Sequence, residues 1–328
     1  MTSRPIALVG SDTLLGREIR EACAASGMPL DLELYAEEEE DVGRLTVVAG
    51  EPALVTRLNP ERLAAARSII LAGARASSQR VLAMGLDRPL IDLTYAADED
   101  PRARLRAPLA ERDLPPMPGG AVSVVAHPAA TALAMVLGRL HDGCPIARAA
   151  AHVFEPASER GQQGLEELQQ QTVNLLSFKP LPKQVYDAQA AFAMLAQYGE
   201  AAPLALETIE ARIERHLATL LAPWHAPLPS LCLLQAPVFH GYTVSLWVEF
   251  RERTGLDEIR ESLEGGRVEV YGPGLDPPNN VGIAGQAEVA VGGLRLDRNV
   301  PRAAWLWFAA DNLRLAAENA LAIAQEVL

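Results

Sequence analysis

The sequence predicts a doubly wound α/β domain with a parallel sheet followed by an α+β domain, and three observations carry that prediction. Over the first third, short apolar β-type runs alternate with Ala- and Leu-rich helical stretches, the pattern of parallel strands joined by crossover helices. The segment Arg112-Asp113-Leu114-Pro115-Pro116-Met117-Pro118-Gly119-Gly120 then interrupts with residues that no helix or central strand tolerates. Beyond it the strands lengthen and alternate apolar with polar residues, as an antiparallel sheet covered on one face requires. A length of 328 residues suits two such units, because a single core stops growing at roughly 250–300 residues.

In the first domain, expected over residues 1–128, segments 5–9, 30–35, 45–48, 68–72, 90–93 and 121–126 read as buried strands. Helical periodicity falls at 15–25, 60–67 and 77–84. The second domain, expected over 129–308, starts with a helix from Ala130 to about Arg139 and a strand at 149–155. A Glu- and Gln-rich helix at 162–176 and a helix near 204–221 come next, then strands at 231–239, 242–250 and 267–271. Residues 305–309 form a strand that feeds a terminal helix in segment 309–328, whose Leu313, Ala316, Ala317, Ala320, Ile323 and Ala324 share one apolar face.

Composition narrows the function. With 49% apolar and 22% charged residues the chain has globular balance, which excludes disorder and collagen-like structure. The 29 basic residues against 42 acidic ones leave a formal charge of −13, which repels phosphate backbones and anionic lipid and argues against nucleic acid or a membrane as partner. Cys23, Cys144 and Cys232 are widely spaced and lack any CxxC or Cys/His metal-ligand spacing, which points to a reducing compartment and no metal site. No apolar run approaches the roughly 18–20 residues of a membrane helix, and the start of the chain has no long apolar segment, so a cytoplasmic protein is expected.

After the first strand comes Gly10-Ser11-Asp12-Thr13-Leu14-Leu15-Gly16, a strand-to-helix turn with glycines at both ends and none between. Gly10, Thr13, Leu14, Leu15 and Gly16 are the candidate cofactor contacts of a Rossmann-type domain, because glycine lets the chain turn tightly and the helix pack close to a dinucleotide. A tight turn needs such glycines even without a phosphate. Glu37-Glu38-Glu39-Glu40-Asp41 begins 21 residues after Gly16, where an acidic group contacts a ribose 2′-OH and a 2′-phosphate would need a cation. NAD or NADP is therefore the candidate cofactor, with NADP disfavoured by Glu37, Glu38, Glu39 and Glu40; the alternative is that the run is a solvated turn.

Six segments, in order and at the right approximate spacing, resemble the aspartate-β-semialdehyde dehydrogenases and most closely their Usg-type paralogues. They are Val9-Gly10…Gly16; Val124-Val125-Ala126-His127-Pro128-Ala129-Ala130-Thr131; Ser158 to Leu168; Ala236-Pro237-Val238-Phe239-His240-Gly241-Tyr242-Thr243; Val291-Gly292-Gly293-Leu294-Arg295; and Ala309-Ala310-Asp311-Asn312-Leu313-Arg314. The resemblance spans nearly the whole chain. It implies a Rossmann-type NAD(P)-binding domain, a second α+β domain that carries the catalytic groups and forms a homodimer, and a C-terminal helix that returns to the first domain.

In that family a thiolate attacks the aldehyde, a histidine moves protons, a hydride goes to NADP and phosphate resolves the thioester. The resemblance puts Ala130 at the nucleophilic cysteine, Tyr242 at the histidine, Gln235 at the substrate-carboxylate arginine and Glu155 at the glutamine before the family's Ser-Gly-Ala-Gly motif. A methyl forms no thioester, and a phenol of pKa about 10 replaces a base that titrates near neutrality. Within Ser-Gly-Ala-Gly, Glu159-Arg160 fills space that substrate or nicotinamide would approach. The stretch Asp92 to Asp100 offers no cation before Arg102 where the family binds phosphate. The expectation is a dimeric homologue without the family's catalysis, a binding or interaction protein.

Two other functions stay open at this level. One is the family's own reaction in amino-acid biosynthesis, which Ala130 opposes. The other is direct reduction of a carbonyl in the inherited cleft, with Tyr242 as proton donor; that role needs an open polar cleft, whereas a ring that merely fills space should be buried among apolar groups. Cys23, Cys144 and Cys232 read as inert, the last as a buried strand thiol without a nearby base. His240 and Tyr242 should share a strand face, and His127 and His240 could meet in one cleft, although two histidines make a poor metal site. Trp224, Trp247, Trp305 and Trp307 read as core or interface residues.

Overall fold

A computed structural model of the chain describes residues 4–27, 31–37, 42–48, 50–112 and 121–326. These divide into two compact units, one of residues 1–126 with 316–328 and one of residues 127–315.

The first unit runs β1 (Ile6–Val9), α1 (Leu14–Ser26), β2 (Leu32–Tyr35), β3 (Leu45–Val48), β4 (Glu51–Leu54), α2 (Pro60–Ala65), β5 (Ile69–Leu71), α3 (Arg75–Ala83), β6 (Leu90–Asp92), β7 (Ala103–Arg106) and β8 (Val122–Val125). Six strands form one sheet in the order β2-β1-β5-β6-β8-β7, and every pairing is parallel. Chain order reverses between β1 and β5, which makes that crevice the switch point where ligands bind in open α/β sheets. Thr13 caps α1 by accepting from the Gly16 amide at 3.0 Å, and Gly27 ends the helix at φ +62°. One face of the sheet packs Leu8, Leu34, Ile70 and Ile91 with Ile19 of α1 and with Ala317, Leu321 and Ala324 of the C-terminal helix. The resemblance to a Rossmann-type domain holds.

Two expectations for this unit change. Residues 45–48 do not join the parallel sheet: β3 pairs only with β4, antiparallel, and leaves Leu45 and Val47 mostly exposed. β7 was not expected. It is an edge strand whose charged Arg104 and Arg106 hide the apolar pattern. Arg106 is nonetheless buried, and its guanidinium is shared between Glu111 at 2.9 Å and Glu326 at 2.7 Å, which ties the end of the C-terminal helix to β7.

The second unit runs α4 (Pro128–Gly143), β9 (Ile146–Glu155), a 3-10 turn (Ala157–Arg160), α5 (Gly161–Leu176), α6 (Leu206–Leu221), β10 (Ser230–Gln235), β11 (Tyr242–Phe250), α7 (Leu256–Leu263), β12 (Val268–Val270), β13 (Val289–Leu296), β14 (Ala303–Ala310) and the start of α8 (Asn312–Glu326). The sheet order is β10-β9-β11-β14-β13-β12. This sheet is mixed rather than antiparallel, since β10 runs parallel to β9 and β12 parallel to β13. Strand 231–239 is shorter than expected because Pro237 cannot donate to a ladder. One face, with Ala151, Val153, Val244, Leu246, Leu306 and Phe308, is fully buried, and α4, α6 and α7 contact the sheet's strands. The other face carries half-buried Phe154, Trp247, Trp305 and Trp307. Among the described residues no helix is long and apolar enough to cross a membrane.

Candidate functional site

In the second unit the chain brings the sequence-predicted residues to one end of the mixed sheet. Glu155 closes β9 and is the register partner of Gln235, the last residue of β10, while Tyr242 opens β11 on the other side of β9. All three are fully buried. Ala130 sits in the first turn of α4, also fully buried. That helix begins where Pro128 takes the first helical position and the His127 imidazole caps it, its Nδ1 accepting from the Ala129 amide at 3.4 Å. With Nδ1 an acceptor, Nε2 carries the hydrogen, and it lies 3.6 Å from Glu159 Oε2.

Around Glu155 the polar groups contact one another. Arg160 Nη2 lies 3.3 Å from Glu155 Oε1, and the Tyr242 hydroxyl reaches Oε2 at 3.5 Å. Tyr198 donates to Gln235 Oε1 at 2.7 Å and lies 3.4 Å from Glu155 Oε1. Gln235 Nε2 donates in turn to the carbonyls of Glu155 and Ala236, both at 2.9 Å. Asn312 joins three segments: its amide nitrogen donates to Glu159 Oε1 at 2.9 Å and Ser158 Oγ at 3.0 Å, and its oxygen accepts from Gly241 N at 3.1 Å. Gly241, at φ +81°, makes the turn that starts β11, and a side chain there would strike the Asn280 backbone.

Burial sets the electrostatics. Desolvation raises the Glu155 carboxyl above its ordinary range, opposed by the Arg160 charge. Desolvation, then the neighbouring Glu155 charge, pushes Glu159 up to about 7. Burial works against the Arg160 cation, but Glu155, Tyr198, Glu159 and Tyr242 together more than offset it and keep the guanidinium charged. Burial likewise raises the Tyr198 phenol well beyond its ordinary value. These groups form a closed cluster of mutual contacts rather than free acids and bases, with the buried Arg160 Nε making no hydrogen bond of its own.

Tyr242 matches neither expectation for it. Its side chain is closed from solvent, unlike a proton donor in an open cleft, yet it touches carboxylates rather than purely apolar groups. The histidine pairing is also corrected. His240 is exposed and precedes β11, so it shares no strand face with Tyr242. His127 instead receives His216, whose Nδ1 accepts from the His127 amide at 3.0 Å, and the His127 and Tyr242 ring centroids are 6.2 Å apart. Cys232 is exposed, not buried, and has His152 as its register partner on β9. Among the described residues no group of three His, Cys, Asp or Glu could hold a metal.

Sequence reasoning missed Tyr198. The residue belongs to segment 177–205, which folds back on α5, and two buried polar side chains of that helix hold the segment in place. Glu167 accepts from Val185 N at 2.7 Å and Tyr186 N at 3.2 Å. Gln171 donates to the carbonyls of Pro182 and Ala188 and accepts from the amides of Ala190 and Ala191 at 2.7 and 3.1 Å. The signal available was Glu167 and Gln171, four apart on the face of a helix that the cluster abuts. A groove of about 660 Å³ lies between α5 and residues 182–185, lined by Gln163, Glu166, Gln170, Val173 and Pro182 among others, and none of the predicted site residues lines it.

In the first unit, Gly10 and Gly16 are fixed by the backbone itself. A Cβ on Gly16 would lie 2.1 Å from the Gly10 carbonyl oxygen, and one on Gly10, at φ +78°, would lie 2.4 Å from Gly73 Cα. The Thr13 hydroxyl lies 2.8 Å from the Ala72 carbonyl, and Leu15 packs on the core. Of the acidic run, Glu37 follows β2 and its carboxylate accepts from the Ala74 amide at the start of α3. Glu38, Glu39, Glu40 and Asp41 lie outside the described residues. In the stretch expected to lack a phosphate cation, Asp92 takes the amides of Thr94 and Ala97, both at 2.8 Å, and exposed Arg102 pairs with Asp100.

Comparison with known proteins supplies the lineage. The family described as "Semialdehyde dehydrogenase, dimerisation domain" matches residues 137–315. A USG-1 protein homolog from Pseudomonas aeruginosa is 36% identical over 171 residues, so the match spans about half of each chain, 51% of this one and 50% of that relative. An aspartate-semialdehyde dehydrogenase from Aquifex aeolicus is 26% identical over 98% of this chain and 96% of its own. Among solved structures, a Pseudomonas aeruginosa chain described as a probable aspartate-semialdehyde dehydrogenase aligns with a TM-score of 0.85 at 27% identity, covering 99% of this chain and 98% of that one.

Proposed function

The chain belongs to the semialdehyde dehydrogenase family, and from that premise we propose that it is a dimeric member in which a structural polar cluster has replaced the thiol chemistry of semialdehyde oxidation. The observation that carries this reading is the closed state of Glu155: the carboxylate is fully buried and is met by Arg160, Tyr198 and Tyr242. An anionic substrate would have to displace Arg160 from that carboxylate and then sit beside it, a double electrostatic cost. Ala130 supports the same reading. A cysteine in the first turn of a helix has its thiolate favoured by the helix N-terminus, but a methyl at that place has nothing to ionise. Direct carbonyl reduction by Tyr242 is disfavoured because no substrate reaches a phenol closed from solvent.

The role left to the molecule is binding or assembly, and its working form is a homodimer. Support comes from the match to a dimerisation domain and from the half-buried sheet face that bears Phe154, Trp247, Trp305 and Trp307. Aromatic groups of this size on one face contribute strongly when a second sheet covers them. A reducing cytoplasm suits its three free thiols. Thermal denaturation with and without the semialdehyde and phosphate tests the closed-cluster reading. It predicts no rise in Tm at millimolar ligand, whereas a saturable rise of several degrees would contradict it.

A further inference from the structure

Three strand ends meet at the switch point of the parallel sheet. β2 and β5 flank β1 on opposite sides, so a side chain that leaves the end of β2 and bonds to the chain after β5 must cross above the end of β1. Glu37 does this: its carboxylate accepts from Ala74 N, the residue before α3. The crossing is tight. A Cβ on Gly73 would lie 2.8 Å from Glu37 Oε2 and 3.2 Å from Oε1, so the carboxylate lies directly on the Gly73 backbone. Gly10 lies beneath, where a Cβ would be 2.4 Å from Gly73 Cα. In an open α/β sheet this crevice is where a dinucleotide lies, with the acidic group at the end of the second strand turned toward its ribose. Here the same group is turned across the crevice and engaged with protein.

We infer that Glu37 is an internal occupant of the dinucleotide crevice, which nucleotide must displace from Ala74 and which rejects a 2′-phosphate by charge. The inference rests on the reading of the first unit as a Rossmann-type domain of this family and is independent of the closed cluster in the second unit. Two effects are separable. The bond to Ala74 N is a charge-assisted contact that must be given up for either NAD or NADP to enter. The negative charge acts in addition on the 2′-phosphate of NADP alone. An uncharged amide at residue 37 keeps an acceptor for Ala74 N, though a weaker one, and removes the second effect; a methyl removes both.

Calorimetric titration of NAD and NADP into the full chain, as wild type, Glu37→Gln and Glu37→Ala, tests this directly, with circular dichroism to confirm that each variant is folded. Wild type should bind both weakly, and NADP more weakly than NAD. Glu37→Gln should tighten NADP on the order of tenfold with little change for NAD, and Glu37→Ala should tighten NAD on the order of tenfold and NADP on the order of a hundredfold. Unchanged affinities in folded Glu37→Ala, or no binding of either nucleotide to any of the three proteins, would overturn the inference. Parallel trials of semialdehyde oxidation keep the readings apart: turnover would sink the non-catalytic proposal and leave the role of Glu37 to be decided by the binding data.

Discussion

Arg160 Nη2 lies 3.3 Å from Glu155 Oε1 although the two residues sit on different elements, Glu155 at the end of β9 and Arg160 at the end of the 3-10 turn that follows it. The turn folds the chain back, so that a charge five residues later in sequence neutralises one that the strand has buried. The pair is costly to bury and more costly to split, because either partner alone would leave an uncompensated charge in the interior. Arg160→Met should therefore destabilise the protein by about 3–5 kcal/mol, while Glu155→Gln with Arg160→Met should recover much of that loss. Urea denaturation of the single and double variants measures both.

Stability should fall as pH rises toward neutrality. The Glu159 carboxyl has an ordinary pKa of 4.5 and is raised to about 7 by burial and by Glu155. Because the folded pKa is the higher one, the folded state holds the proton more tightly than the unfolded chain. That stabilisation is fully present below the unfolded value and is lost as pH climbs through about 7. The change is on the order of 1–3 kcal/mol. Glu159→Gln, which keeps an acceptor for Asn312, should flatten the profile between about pH 4.5 and 7. An unchanged slope in the variant would show that Glu159 is not its source.

Asn312 is the joint of the cluster. Its side chain meets Ser158, Glu159 and the amide before Tyr242, and its own burial is nearly complete. Asn312→Ala leaves Gly241 N and Ser158 Oγ without that partner and should cost about 2–4 kcal/mol, read as a fall in Tm. A loss within about 0.5 kcal/mol would contradict this account of the residue.

Gln171 holds the segment that carries Tyr198. Gln171→Ala removes its contacts with Pro182, Ala188, Ala190 and Ala191, and the expected outcome is faster proteolytic cutting within residues 177–205 while the rest of the chain stays protected. Equal cutting of wild type and variant would contradict it.

The sheet face should govern assembly. Trp247 and Trp305 both donate through Nε1 to Asp297 Oδ2, at 3.0 and 2.8 Å, and Arg148 and Arg295 stack over the two rings at 5.8 and 5.4 Å from their centroids. A carboxylate among these rings, as in Trp307→Glu, should shift the protein from dimer to monomer in light scattering. A dimer of unchanged stability would move the interface elsewhere.

Much of the architecture was legible because local signals agreed. The turn at Gly10 to Gly16, the helix at 162–176 and the paired strands around residues 149–155 and 242–250 were all marked by periodicity or glycine placement. Strands β7 and β13 were not. Arg104 and Arg106 interrupt the apolar run of one, and Gly292 and Gly293, where the register of β13 shifts, interrupt the other. The site was legible only as positions. Glu155, Gln235 and Tyr242 were named from short motifs, but their conversion into a closed cluster depends on Tyr198, Asn312 and Arg160. Tyr198 is 43 residues from Glu155 and Asn312 is 154 from Ser158, separations that no local pattern encodes. The glycines at 10 and 16 were legible with the right geometry and an open cause, which the backbone contacts supply.

The central claim is that this member of the family does not oxidise a semialdehyde. The most direct measurement is the initial rate of phosphate-dependent oxidation of aspartate semialdehyde by the purified protein, followed as reduced nicotinamide with NAD and with NADP. The account predicts no rate above the protein-free control with either cofactor. Saturable turnover that depends on phosphate would contradict it, and would require a nucleophile other than the residue at 130.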